Sequence, residues 1–108
     1  MTTELTTEEI REYTERAAKR IGLVLKDDGR NLLYRKAGAW HSCDPAHNDT
    51  DSRWLARRLR IDVRFGKNRV SAWSDELGDQ VTRYEPNATL DQIGAAERLA
   101  VLRVAGAI

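Results

Sequence analysis

The stretch from residue 61 to residue 84, IDVRFGKNRVSAWSDELGDQVTRY, decides the fold. Ile61, Val63 and Phe65 alternate with Asp62 and Arg64, the period of a strand that buries one face. Gly66-Lys67-Asn68 has turn chemistry, and Arg69 to Trp73 runs back with the same alternation. A second turn from Asp75 to Asp79, around Gly78, leads into Gln80 to Tyr84, and Pro86 ends the run. Three strands joined by short turns make an antiparallel meander. Ile61, Val63, Phe65, Val70 and Ala72 are its expected core face; Asp62, Arg64, Ser71 and Trp73 lie on the other.

An antiparallel sheet can leave its second face in water. Arg64 and Trp73 are then binding candidates, because Arg and Trp are enriched where interfaces concentrate their energy. The alternative is that a helix, such as the first one, covers this face and Trp73 belongs to the core.

Immediately upstream, from Trp40 to Ile61, lies WHSCDPAHNDTDSRWLARRLRI. Asn48 is a good N-cap, and Asp49 and Asp51 fall in the first turn, where the helix dipole favours acids. Trp54, Leu55 and Leu59 share one arc of the predicted helix, and Arg53, Arg57 and Arg60 lie opposite them, with Arg58 apart. Such a row could meet phosphates or an acidic protein surface. The bland reading is a solvated face on which Asp49 pairs with Arg53 at i,i+4.

The same stretch carries both histidines and the single cysteine of the chain. His41, Cys43 and His47 are zinc-compatible donors, but H-x-C-x₃-H matches none of the paired spacings of structural zinc sites. The site is therefore read as a polar loop feeding a helix cap, with no metal and no cofactor. Cys43 lacks the surroundings of a catalytic cysteine, and no phosphate-cradling glycine loop or hydrolase motif occurs. The expectation is a non-enzyme.

Outward from this centre, Thr6 and Glu9 form a capping box, with Leu5 and Ile10 placed for a hydrophobic staple. Ile10, Tyr13, Ala17 and Ile21 make a thin apolar stripe, Glu12/Arg16 and Glu15/Lys19 are i,i+4 pairs, and Gly22 ends the helix. Leu23 to Lys26 and Asn31 to Arg35 flank Asp-Asp-Gly and predict a hairpin, after which Ala37-Gly38-Ala39 leads out of the sheet. The last helix opens at Thr89 with Gln92 as box partner, and Ile93, Ala96, Leu99, Val101, Leu102 and Val104 make it the central, buried helix. The expected order is α-β-β-α-β-β-β-α. The expected class is α+β, with a mainly antiparallel sheet of about five strands and three helices in a single domain over residues 1–108.

Of 108 residues, 41% are apolar and 32% charged, with a formal charge of +1, so no global field recruits nucleic acid or membrane. A lone cysteine fits a reducing compartment. No basic-then-apolar leader and no apolar run of about 18 residues is found, so a soluble protein of the cytoplasm is expected, without membrane contact.

Trp40, the Pro45 loop, Asp51 at a helix start, Trp54 within that helix and the alanine-rich close from Ala95 to Ala107 resemble the phage ABA sandwich domain, a family of small tailed-phage accessory proteins. The likeness covers about residues 38–106. It implies a phage or prophage origin and a helix–sheet–helix layering, and it carries no catalytic residue. The function expected from all of this is binding of a host protein, as an inhibitor of an antiviral defence system such as an anti-CRISPR. Arg53, Arg57 and Arg60 are the expected charged contact face, and Trp73 with Arg64 the anchor. A nucleic-acid-binding module using the same arginines is the alternative, and a sequestering binder of a small signalling nucleotide is a third.

Overall fold

The computed structural model describes residues 5–29 and 32–107. Its elements run α1 (Thr7–Arg20), β1 (Lys26–Asp27), β2 (Leu32–Lys36), β3 (Ala39–Ser42), α2 (Asp49–Arg58), β4 (Asp62–Gly66), β5 (Arg69–Ser74), β6 (Gly78–Arg83) and α3 (Leu90–Ala105). The class is α+β, and all strand pairing is antiparallel. Among the described residues the strands number six and divide into two three-stranded sheets, β1-β2-β3 and β4-β5-β6, in place of one sheet of about five.

The added strand is β3. Its source is a tight turn at Ala37-Gly38, both at positive φ (52° and 81°), which pairs Lys36 with Ala39. Alanine resists that conformation, and every residue of β3 is exposed, so neither turn propensity nor alternation announces the strand. The hairpin before it forms, but its first strand is only Lys26–Asp27. Arg30 and Asn31, which the expected hairpin included, lie outside the described residues.

The helix ends follow their sequence signals. Thr6 and Thr89 each accept a hydrogen bond from the backbone N–H three residues on, and Glu9 and Gln92 return the favour to the cap N–H. At the end of α1, Gly22 N–H donates to Lys19 and Leu23 N–H to Ala18, a Schellman closure with Gly22 at φ 73°. The end of α2 closes in the same way, from Arg60 to Arg57 and from Ile61 to Ala56, so the left-handed position belongs to Arg60 (φ 53°).

The core lies between α3 and the β4–β6 sheet. Val70 and Ala72 of β5 meet Ala96, Ala100, Val101 and Val104 of α3, with Leu55 of α2 and Ala17 of α1 closing the sides. α3 lies across β5 and β6, and both other helices pack on α3. Phe65, expected in the core, is 54% exposed. It sits on the outer strand β4, two residues past Val63, which is the β4 residue that packs against the core cluster.

The smaller sheet is held by side chains. Tyr34 of β2 stacks on Trp54 of α2 at 5.7 Å between ring centroids, and Arg11 of α1 bonds Asp27 of β1. Leu32 and Cys43 are buried beneath it. No described helix is long and apolar enough to cross a membrane.

Candidate functional site

The register of β4–β6 settles what lies on its far face. Asp62, Trp73 and Asp79 form one cross-strand row, and Arg64, Ser71 and Val81 the next. Gly66, Arg69 and Arg83 form a third row. Asp62, Arg64, Asp79 and Val81 are exposed and Trp73 is half-buried, so this face is open. Among the described residues α1 and α2 both pack on α3, and no helix is packed on this face. The Arg64 guanidinium lies over the Trp73 ring at 5.5 Å. At an exposed site this contact contributes about 0.5–1 kcal/mol and, more usefully, holds both side chains in one presented geometry. Acids flank Trp73 at one end of the face, and Arg69 with Arg83 makes the other end basic. Val81, 42% exposed beside them, completes an apolar centre.

The α2 arginines do not form the single row that a helical wheel draws. Arg60 lies past the C-cap Leu59, in the left-handed conformation, and so leaves the helical progression. It lines a recess with Arg20, Arg58, Asp75 and Glu76, away from Arg53 and Arg57. Arg58 is further committed, donating to the Ile21 carbonyl at 3.3 Å. Arg53 and Arg57 line a different recess, with Ala56, Val63, Glu97 and Val101. Asp49 does not pair with Arg53. It accepts from Arg98 Nη1 at 2.7 Å, while Arg98 Nε reaches the Ala46 carbonyl at 3.0 Å. Arg53 and Arg57 make no ion pair among the described residues.

His41, Cys43 and His47 go separate ways. His41 lies beside the Tyr34 ring at 5.6 Å, and His47 Nδ1 is 2.9 Å from Asp44 Oδ1. Asp44 N–H donates to Asp51 Oδ2, and Asp51 N–H to the capping Asn48 Oδ1, which makes the loop a cap for α2. No group of three or more His, Cys, Asp or Glu suited to a metal ion occurs among the described residues.

Burial, with Asp51 and Asp44 nearby, pushes the Cys43 thiol up to about 12. The folded value exceeds the unfolded one, so this group's contribution to stability is complete below the ordinary cysteine range. That contribution is lost as pH rises from there toward 12. The native thiol is therefore expected to react with Ellman's reagent at pH 8 at least about a hundredfold more slowly than the thiol of urea-unfolded protein. Equal rates would overturn this account of Cys43.

Phe65, expected in the core, and Val81 are the exposed large apolar residues of the β4–β6 sheet. The usable signal for both was their position on outer strands of a three-stranded meander. No family model, no curated protein and no solved structure matches the chain. The likeness to the phage ABA sandwich domain therefore stands on the residues quoted for it.

Proposed function

We propose that this chain is a non-enzymatic phage or prophage accessory protein that works in the host cytoplasm by binding a host protein, as an inhibitor of an antiviral defence system of the anti-CRISPR kind. The observation that carries the binding part of this reading is the open β4–β6 face, where Trp73 and Val81 sit among Arg64, Arg83, Asp62 and Asp79. An amphipathic aromatic held by a guanidinium, ringed by charges of both signs, has the composition of a protein-binding hot spot. The phage part of the reading is supported by the resemblance over residues 38–106. Arg53 and Arg57 add a second charged surface on the other side of the same sheet.

Tagged protein incubated with the lysate of a defence-competent host is expected to retain a specific host protein. Trp73→Ala is expected to weaken that retention by about 30-fold or more, with Arg64→Glu intermediate. Thermal unfolding of each variant separates lost binding from lost folding. Retention of no specific protein by the wild-type chain would sink the reading. Nucleic acid co-purifying with the chain, and released steeply with salt, would replace it with the nucleic-acid alternative.

A further inference from the structure

We infer that the free edge of β4 takes up an extended, acidic segment of a partner protein as a fourth strand, an inference that rests on the protein-binding reading above. β4 is paired with β5 on one side only, and the sheet order leaves its other side unpartnered among the described residues. Such an edge exposes a row of backbone donors and acceptors, which proteins usually blunt with charged side chains, proline, a bulge or very short length. β4 carries the charges of Asp62 and Arg64, of opposite sign, and none of the other devices. It runs five residues, contains no proline, and keeps an unbroken register with β5 from Asp62↔Trp73 to Gly66↔Arg69.

What surrounds the edge selects the occupant. α3 lies across β5 and β6 and reaches β4 at Val63, where Glu97 and Val101 share a recess with α2 residues. There Arg53 and Arg57 line one recess with Val63. On the opposite face stands Arg64, and at the far end of the strand Phe65 is 54% exposed. Side chains of an added strand alternate between the two faces. One set would therefore lie toward Arg53 and Arg57, and the other beside Arg64 and Trp73. Glu97 and Asp62 are the acids nearby, leaving three arginines against two carboxylates along the groove. The opposite edge, β6, carries Asp79 and Arg83 and has no such bank of arginines beside it. Backbone pairing supplies affinity in this mode and the flanking side chains supply selectivity. The ligand class is thus an extended peptide with acidic residues alternating with apolar ones, the acids toward Arg53 and Arg57 and the apolar ones beside Trp73.

The probe is the capped peptide acetyl-Glu-Val-Asp-Ile-Glu-Val-amide, titrated into the full-length ¹⁵N-labelled chain. Amide shifts are expected at Asp62 to Gly66 and at Arg53 and Arg57, and the β4 amides that exchange freely are expected to become protected. Arg53→Glu with Arg57→Glu is expected to weaken binding about tenfold or more. Alternate N-methylation, made in both registers, is expected to weaken it similarly in one register, and a lysine-for-acid peptide should not bind. Shifts centred away from β4, or equal affinity of both N-methylated peptides, would overturn strand addition. So would a thymidine oligonucleotide that occupies the same residues when the acidic peptide does not. The two levels of the proposal fail separately. Host-protein capture that depends on Trp73 yet ignores the Arg53/Arg57 change and the peptide as competitor would end this inference and leave the binding reading intact. An absence of any specific capture would end that reading, while the peptide titration would still decide the fate of the β4 edge.

Discussion

Gly106→Ala is expected to destabilise the protein by about 3 kcal/mol, seen as a fall in melting temperature of roughly 10–20 °C. Gly106 caps α3 at φ −96°, a conformation any residue accepts, so the requirement is not torsional. It is spatial. A Cβ there would stand 2.4 Å from Tyr13 Cδ1, 2.6 Å from the Tyr13 carbonyl oxygen and 2.7 Å from its Cα. The ring could rotate away, but the backbone atoms belong to the middle of α1 and could yield only by moving the helix. Arg16 Nη1 also donates to the Gly106 carbonyl at 3.2 Å, so a displaced helix loses that bond as well. Tyr13→Ala added to Gly106→Ala is therefore expected not to restore stability. A loss below about 1 kcal/mol, or rescue by Tyr13→Ala, would show that α1 and α3 are not in backbone contact there.

That contact illustrates where sequence reading stops. Capping boxes at Thr6 and Thr89, the Gly22 closure and the alternation of β5 are local patterns, and each follows from backbone groups a few residues apart that must be satisfied. Val70 and Ala72 were placed in the core by alternation alone, and they are fully buried. Phe65 obeyed the same rule and is exposed, because burial needs a partner element, and on β4 the core reaches Val63 but not Phe65. Arg60 falls in the arginine row only if the helix is extended two residues too far, at a residue type that rarely adopts the left-handed cap. Asp49 was matched to its i+4 neighbour, whereas its partner Arg98 lies 49 residues away, a pairing that only the packing of α2 on α3 creates. Of the proposed site, Arg64 and Trp73 were legible as residues of one strand face. That the face is open, and that Val81 shares it, depends on which side all three helices choose.

Leu55→Ala is expected to cost about 3 kcal/mol, measured as a lower denaturant midpoint with an unchanged slope. Leu55 is 2% exposed and joins the cluster of Ile61, Val70, Val101 and Val104, so truncation leaves a cavity between α2, α3 and the β4–β6 sheet. Its neighbour Trp54 faces elsewhere, stacking on Tyr34 with ring planes 16° apart. One helix thus serves two sheets from adjacent positions, Leu55 inward and Trp54 toward β2. Trp54→Ala is accordingly expected to act locally: amide exchange in β2 and β3 should accelerate while the β5 amides keep their protection. Leu55→Ala should instead lower the protection of β5 and of the smaller sheet together, because the smaller sheet depends on α2 and α2 depends on the core. If Trp54→Ala lowered protection in β5 as much as in β2, the two sheets would form one cooperative unit. The open face of β4–β6 could then not be treated as rigid independently of the smaller sheet.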